Sequence, residues 1–294
     1  MEKKSTNINW YPGHMAKARR EIEERVKLVD LIIELRDARA PLSTSNPIIG
    51  KLEKTKPHLI ILTKKDMADD VKTAKWIEYF KERNTTAIAL DLTKFNAYGS
   101  IVSLSQDLLK EKMEKERQKG LKPRPVRALV VGIPNVGKST FINRLAKRKA
   151  TITGDRPGVT KSQQIIKISK DFELFDTPGI LWPKFEDHDV ACHIALVGSI
   201  KNTILPMDEL FIYAVNYLVR AYPGIIEERY GLSINLEDDS WIEKFFLDMS
   251  RIKGIRYVRG EIDYDRIIDL FFNDLIKGYF GKITWQDSED ANQD

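Results

Sequence analysis

Residues 132–139 have the composition and spacing of a loop that binds phosphate. They read Gly-Ile-Pro-Asn-Val-Gly-Lys-Ser, which fits the pattern G-x-x-x-x-G-K-[ST]. An apolar, β-rich run precedes them at 126–131, and apolar residues at helical spacing follow at 140–145. In such a strand–loop–helix unit, backbone amides and the helix N-terminus favour phosphate oxygens. We therefore expect Lys138 to reach the β- and γ-phosphates of a nucleotide and Ser139 to hold Mg²⁺ through its hydroxyl. A chance glycine-rich turn is the weaker alternative.

A second motif, Asp-Thr-Pro-Gly at 176–179, follows a predicted strand at 172–175. In nucleotide hydrolases an aspartate at such a strand end holds Mg²⁺ through water, and the glycine amide contacts the γ-phosphate. Proline and glycine also make ordinary turns, but the phosphate-binding loop upstream favours the functional interpretation of Asp176 and Gly179. Thr160 lies between the two motifs and is the best candidate to complete the Mg²⁺ shell. A plain surface threonine is the alternative.

The stretch Thr63-Lys64-Lys65-Asp66 follows another predicted strand, at 57–62. It resembles the guanine-reading motif Asn-Lys-x-Asp of GTPases, with threonine in place of asparagine. A carboxylate there accepts hydrogen bonds from guanine N1–H and the exocyclic amine, a donor pair that adenine lacks. Asp66 therefore favours a GTPase over the rival interpretation, a P-loop kinase or ATPase acting on a small molecule. A non-hydrolysing RNA-binding module is a third alternative, which leaves the intact phosphate and Mg²⁺ residues unexplained.

Composition is that of an ordinary globular chain. Of the 294 residues, 42% are hydrophobic, and no apolar run approaches the roughly 18 residues of a membrane span. The first residues lack the apolar stretch of a signal peptide, and the one cysteine, Cys192, excludes an internal disulfide framework. These features lead us to expect a cytoplasmic location. The net charge of +5 is compatible with a nucleic-acid partner without being proof of one.

Predicted strands alternate with helices in the first part of the chain. Strands are expected at 31–35, 57–62, 87–90, 126–131, 164–168 and 172–175, and helices at about 70–83 and 98–119. The alternation predicts a mainly parallel α/β sheet flanked by helices, in which ligands bind at the carboxyl ends of the strands. From Trp182 the pattern changes to helices alone, with apolar residues at helical spacing over about 206–221, 241–249 and 262–276. The expected domains are 1–182 with a basic N-terminal helix, an all-helical region over 183–286, and a disordered acidic tail over 287–294.

Two basic stretches are candidates for contact with RNA phosphates. Lys17, Arg19 and Arg20 lie near Trp10 and Tyr11, although a solvated helix face would also explain these charges. Residues 110–127 hold eight Lys or Arg and three Glu, which we interpret as a helix tail followed by a semi-rigid tether.

The guanine motif precedes the phosphate loop, which is the reverse of the order in Ras-like proteins, so the chain looks like a circularly permuted GTPase. Residues 11–18 (Tyr-Pro-Gly-His-Met-Ala-Lys-Ala), 37–41 (Asp-Ala-Arg-Ala-Pro) and 281–284 (Gly-Lys-Ile-Thr) extend the likeness. On these motifs the chain resembles the YlqF family of permuted GTPases, also called ribosome biogenesis GTPase A, over about residues 8–285.

The resemblance implies that the permuted domain binds GTP and Mg²⁺ and that the protein acts late in assembly of the large ribosomal subunit. Ribosomal RNA and ribosomal proteins would then be its partners, with RNA contact by the helical region, and we expect a monomer. Asn135 also matches the asparagine that helps hold K⁺ in potassium-stimulated relatives. The complete set of expected GTP-binding residues is Thr63, Lys64, Lys65, Asp66, Thr93, Lys94, Asn135, Val136, Gly137, Lys138, Ser139, Thr140, Thr160, Asp176 and Gly179.

The residue that orients the attacking water is missing from its usual position. Ras-type enzymes use a glutamine just after Asp-x-x-Gly, but Ile180 and Leu181 follow Gly179 here and neither can orient water. The resemblance implies His14 as a catalytic residue beside Lys138, since a histidine can position water or accept a proton near neutral pH. Packing or RNA contact is the alternative role for His14. We therefore expect slow intrinsic hydrolysis that an RNA-containing partner accelerates.

Overall fold

The computed structural model describes residues 20, 22–46, 49, 56–94, 98–147, 165–177, 187–200, 205–255 and 262–292. A six-stranded sheet has the order β3-β2-β1-β4-β6-β5. All its described pairs are parallel except β5–β6, which confirms the predicted mainly parallel α/β sheet. The strands are β1 (Leu31–Asp37), β2 (His58–Thr63), β3 (Thr86–Ala89), β4 (Val126–Gly132), β5 (Ile165–Lys167) and β6 (Phe172–Asp176).

Helices flank the sheet and build the C-terminal region. Among the described residues, the helices of the sheet region are α1 (Asp70–Glu82), α2 (Tyr98–Gln118) and α3 (Lys138–Leu145). Those of the C-terminal region are α4 (His188–Leu196), α5 (Met207–Ala221), α6 (Ile225–Tyr230), α7 (Trp241–Lys253) and α8 (Tyr264–Ile276). Residues 20 and 22–26 are also helical, ahead of β1. No helix in these ranges combines the length and the apolar character needed to cross a membrane.

β1 is buried along its whole length and supplies side chains to both faces of the sheet. Leu31 and Ile33 lie in the main core cluster, which also holds buried residues of α2 and α3. Ile32 lies in a second cluster with Ile22 and Val26, from the helical residues ahead of β1. Successive strand side chains point to opposite faces, so a central strand covered on both sides needs a nearly continuous apolar run.

The main core cluster continues from the sheet into the C-terminal helices. Phe211 of α5 packs against Phe245 of α7 and Phe271 of α8, with ring centroids 5.2 and 5.0 Å away, and all three belong to the cluster that contains β1 and β4 residues. The sheet and the helical region therefore share one core. The boundaries at 182/183 and 286/287 stay predictions.

The prediction of a disordered tail is wrong for residues 287–292. Asp287 pairs with Lys72 at 2.9 Å, and Glu289 pairs with Lys75 at 2.8 Å, so the tail lies along α1. Asp287 and Glu289 are thus paired with lysines more than 200 positions earlier in the chain, a pairing that local composition could not reveal.

The expected helices of the sheet region correspond to α1 and α2, and those of the C-terminal region to α5, α7 and α8. The sequence analysis missed α4 and α6. The sequence did contain a signal for α4, because aspartate is a favoured N-cap residue and Asp187 stands just before the helix. In the structure its carboxylate accepts from the amides of Asp189 and Val190. α6 has only six residues, too few for an apolar period to be read.

Candidate functional site

The predicted nucleotide-binding residues within the described ranges lie along one edge of the sheet, at the carboxyl ends of its parallel strands. Thr63 ends β2 and Lys64–Asp66 follow it, Thr93 and Lys94 follow β3, the loop 133–137 follows β4, and Asp176 ends β6. β1 lies between β2 and β4, so the guanine motif and the phosphate loop flank the same strand. A crevice at such a switch in strand order is the usual ligand site of this kind of sheet.

Close packing and unusual backbone angles shape the phosphate loop. A Cβ atom at Gly132 would lie 2.7 Å from the Leu35 carbonyl oxygen and 2.9 Å from Cγ1 of Val136, so only glycine fits there. Gly137 has a φ of 99°, in the left-handed region, and Asn135 has a φ of 59°. Left-handed residues just before a helix N-terminus are a feature of anion-binding loops, and this backbone supports the phosphate-binding prediction.

Lys138 and Asp176 are two buried, oppositely charged groups of this site, 8% and 1% exposed. The Lys138 ammonium donates to the Gly132 carbonyl at 3.4 Å. Burial lowers the pKa of Lys138 to about 8, against the opposing effect of the Asp176 charge. Burial likewise raises the pKa of Asp176, against the effect of Lys138. Both charged forms are thus disfavoured until further charges enter the site.

The residues present fit a divalent cation. Both carboxylate oxygens of Asp176 are buried without a hydrogen-bond partner among the described residues, which is costly for a polar group. Carboxylate and hydroxyl oxygens are the ligands that Mg²⁺ prefers, and Ser139 supplies a hydroxyl in the first turn of α3. Asp176 and Ser139 are therefore suited to hold Mg²⁺.

Arg25 contacts this part of the site and was not predicted to do so. Its Nη1 donates to the main-chain carbonyl of Asp176 at 2.8 Å, and its charge helps to lower the pKa of the Asp176 carboxyl against burial. The helical residues 22–26, which follow the predicted catalytic His14 in the chain, are in this way tied to the end of β6.

Thr63 bridges the guanine motif and the phosphate loop. Its Oγ1 lies 2.7 Å from the Val136 carbonyl oxygen and 3.1 Å from that of Arg36. Lys64 follows with a left-handed φ of 56° and begins the 3₁₀ turn Lys65–Met67, which contains Asp66. Threonine at this position can therefore brace the neighbouring loops as the usual asparagine does.

Thr93 and Lys94 lie in a turn that Asp91 organises. The Asp91 carboxylate accepts from Thr93 N at 2.7 Å, from Thr93 Oγ1 at 2.6 Å and from Lys94 N at 3.4 Å. The amides of these two expected GTP-binding residues therefore bond to Asp91 in this structure. Arg144 of α3 donates to the Thr93 carbonyl at 3.3 Å, so the turn is fixed beside the phosphate-loop helix.

Asp37 at the end of β1 contacts the guanine motif and is itself paired with Arg39, and the sequence analysis gave neither residue a role. The Asp37 carboxylate pairs with Lys64 at 3.0 Å and with Arg39 at 2.8 Å. The available signal was their position, an Asp-x-Arg directly after a buried strand at the same sheet edge. His14, Thr160 and Gly179 lie outside the described residues, and their roles stay predictions.

Comparisons with known proteins agree with this geometry. The sequence profile described as a 50S ribosome-binding GTPase matches residues 127–230. Ribosome biogenesis GTPase A of Bacillus cereus is 47% identical over 286 residues, covering 97% of this chain and 96% of the relative.

The chain belongs to the ribosome biogenesis GTPase A family.

A more distant family member, from Thermotoga maritima, is 33% identical and covers 96% of this chain and 95% of its own length. The crystal structure of GNP-bound YlqF from T. maritima superposes with a TM-score of 0.63 at 29% identity, over 93% of this chain and 99% of that one. The GDP-bound structure gives a TM-score of 0.64, over 92% and 100%.

Membership of the ribosome biogenesis GTPase A family confirms the resemblance drawn from the motifs. The chain is a GTPase that functions in ribosome biogenesis. The kinase or ATPase interpretation and the non-hydrolysing RNA-binding module are therefore set aside.

Proposed function

We propose that the chain is a Mg²⁺-dependent GTPase that acts in late maturation of the large ribosomal subunit, and that the ribosomal particle stimulates its hydrolysis. The observation that supports this most directly is the arrangement at one sheet edge. There a carboxylate suited to guanine, a phosphate loop and a buried aspartate lie at the ends of β2, β4 and β6, and the side-chain oxygens of that aspartate have no hydrogen-bond partner among the described residues. Relatives named ribosome biogenesis GTPase A supply the biological context.

Each part of the site has a proposed role. Thr63, Lys64, Lys65 and Asp66 recognise guanine, with Thr93 and Lys94 beside the base. Asn135 to Thr140 bind the phosphates, and Asn135 also helps to hold K⁺. Ser139, Thr160 and Asp176 hold Mg²⁺, Asp176 through water, and Gly179 contacts the γ-phosphate. Bound Mg²⁺ would neutralise charge on the phosphates, as in other phosphoryl-transfer enzymes.

Hydrolysis relies mainly on positioning and charge stabilisation. The Lys138 ammonium stabilises negative charge that develops on the phosphoryl oxygens. Ile180 and Leu181 after Gly179 cannot orient water, and the family resemblance implies His14 as the residue that positions the attacking water or accepts its proton. Slow turnover by the free protein follows if His14 is brought into place only on the ribosomal particle.

The proposed partners are ribosomal RNA and proteins of the large-subunit precursor, contacted through the helical region over 183–286. A monomeric, cytoplasmic protein fits this role. The net charge of +5 agrees with an RNA partner.

The test is GTP turnover by the purified protein with and without large ribosomal subunits, in K⁺ buffer and in Na⁺ buffer. We expect stimulation of about tenfold or more by the subunits and faster turnover in K⁺. Equal turnover with and without mature or precursor subunits would contradict the proposed ribosome coupling.

His14→Ala then separates catalysis from binding. If His14 positions water, this variant loses the stimulated rate while its affinities for GTP and for the subunit stay close to those of the unmodified protein. If His14 contacts RNA, subunit affinity falls instead and turnover at saturating subunit is retained.

A further inference from the structure

The carboxylate of Asp37 is fully buried at the end of β1, between the guanine motif and the phosphate loop. Its Oδ2 lies 3.0 Å from Lys64 Nζ. Burial alone would raise the pKa of this carboxyl, but the charges of Arg39 and Lys64 hold it well below its usual range. Asp37 is therefore a permanent negative charge directed at the lysine of the guanine motif.

Arg39 holds Asp37 from the other side. Its Nε donates to Oδ1 at 2.9 Å, and its Nη2 donates to Oδ2 at 2.8 Å, which is a two-point contact. Both the Asp37 and the Asp66 charges raise the pKa of Arg39 against its burial. Arg39 thus lies within electrostatic range of the carboxylate that reads guanine.

The same network reaches the helical region at the turn after α4. Arg39 Nη2 donates to the Val197 carbonyl at 2.8 Å, and Lys64 Nζ lies 3.5 Å from the same oxygen. One residue further on, the Gly198 carbonyl accepts from Nδ2 of Asn135 at 3.0 Å. The Val197–Gly198 turn therefore contacts both the guanine motif and the phosphate loop.

We propose that Asp37 is a positioning residue for guanine recognition, which holds Lys64 in place for the base and ties it through Arg39 to the Val197–Gly198 turn. The proposal rests on the proposed role of Thr63–Asp66 in reading guanine. A lysine stem has many rotamers, and holding it before the nucleotide arrives removes part of the ordering cost of binding. Because Arg39 and Lys64 also contact the Val197 carbonyl, the ordering of Lys64 depends on the position of the helical region.

The test is Asp37→Asn in the full-length chain, with affinities measured for GDP, GTP and inorganic tripolyphosphate. We expect GDP and GTP to bind about tenfold more weakly, because the free-energy cost of ordering one long side chain is then met during binding. In turnover, KM for GTP should rise by a larger factor than kcat falls. Tripolyphosphate has no base, so its affinity stays unchanged. An equal loss for all three ligands would overturn the proposal, because a general distortion of the site would then be the cause.

Glu34→Gln is the matched control. Glu34 is another fully buried carboxylate of β1, and its ion-pair partners are Arg36 at 2.6 Å and His58 at 3.2 Å, neither of which belongs to the guanine motif. The Glu34→Gln variant should unfold more easily than the unmodified protein, but its affinities for GDP and GTP should fall no more than its affinity for tripolyphosphate. A base-dependent loss as large as that of Asp37→Asn would also count against the proposal.

A double-mutant cycle tests whether Asp37 acts through Lys64. In a Lys64→Met background, Asp37→Asn should cause little further loss of GDP affinity; full additivity would contradict the proposed route. If Asp37→Asn does not fold, Arg39→Lys serves in its place, because it keeps the charge but not the two-point contact.

Asp66→Asn separates this inference from the proposed function. If that variant fails to gain affinity for xanthine nucleotides, the guanine assignment itself is wrong. If it gains that affinity but Asp37→Asn keeps full GDP affinity, only the positioning role is wrong.

Discussion

At the residue scale, the site combines charges that the protein alone stabilises poorly. Lys138 and Asp176 are buried together, and burial shifts the pKa of each toward its neutral form. A nucleotide phosphate would favour the charged lysine, and a bound cation would favour the charged aspartate. Ligand binding at this site should therefore be linked to protons.

We expect guanine nucleotide affinity to fall as pH rises above about 8. The pKa of Lys138 is lowered to about 8 in the nucleotide-free protein, and bound phosphates raise it. Below that value the lysine is already charged and affinity is insensitive to its titration. Above it, binding must take up a proton, which costs up to about tenfold in affinity per pH unit.

Calorimetry of GDP binding at about pH 7 and about pH 8.5, in buffers with different ionisation enthalpies, checks this proton linkage. Proton uptake is expected at the higher pH. The same affinity at both values, with no uptake, would show that Lys138 is fully charged without nucleotide.

The proposed role of Asp66 in recognising guanine predicts a change of base preference. Asp66→Asn should weaken GTP binding by about tenfold or more, because two hydrogen bonds to a charged acceptor are altered, and should strengthen binding of xanthosine triphosphate. Competition binding with both nucleotides measures the change. Asp70→Asn, at an exposed carboxylate paired with Lys282 at 2.6 Å, is the control and should leave the preference for GTP intact.

At the element scale, β1 is the member around which the site is assembled. Its neighbours β2 and β4 end in the guanine motif and the phosphate loop, and its own end supplies Asp37. Direct contacts join these strand ends: the Thr63 hydroxyl reaches the Val136 carbonyl, and Leu35 packs against Gly132. The loops are therefore held by a shared rigid sheet edge.

The Thr63 hydroxyl should be needed to hold the guanine motif against the phosphate loop. Thr63→Val keeps the side-chain shape but leaves the Val136 carbonyl without its donor, at a cost of about 1–3 kcal/mol in the free energy of unfolding. GDP affinity should fall as well. Urea unfolding and GDP titration measure both effects, and Thr63→Ser, which keeps the hydroxyl, should lie close to the unmodified protein. If the valine and serine variants behaved alike, the hydrogen bond would not be the reason.

At the scale of the whole molecule, residues 283–286, which follow the last helix, form hydrogen bonds with the sheet region. Trp285 N donates to the Arg39 carbonyl at 2.6 Å, and Ile283 N donates to the Met67 carbonyl at 3.0 Å. The Gln286 side chain accepts from Leu42 N and Ser43 N, each at 3.0 Å. These contacts and the shared core cluster indicate that the two regions unfold together.

Trp285→Ala tests this cooperativity. The indole is 3% exposed and packs against Tyr217 with ring centroids 5.2 Å apart, so its loss should cost about 3–5 kcal/mol. Because the core is continuous, urea should still unfold the variant in one transition. Its midpoint should shift to lower urea by the same amount whether nucleotide release or the helical circular-dichroism signal is followed. Ile276→Ala, at a side chain that is 59% exposed, should change stability by less than about 0.5 kcal/mol. Two separate transitions in the unmodified protein would contradict a shared core.

The amino-acid sequence by itself determined the parts of the site whose signal is local. The phosphate loop, the guanine motif and Asp176 were each predicted from a short pattern beside a strand. Parallel strands bring their carboxyl ends to one edge of a sheet, and the structure places all three patterns at that edge. The reversed order of the motifs indicated a circularly permuted GTPase, and the motifs at 11–18, 37–41 and 281–284 indicated the family.

Only the tertiary structure decided which distant residues meet. The roles of Asp37 and Arg39 depend on β1 lying between β2 and β4, and on the Val197 carbonyl reaching them from 158 residues further along the chain. The seating of residues 287–292 on α1 likewise depends on lysines far away in sequence. Such contacts are set by strand order and by the packing of the whole core, and a short sequence pattern contains neither.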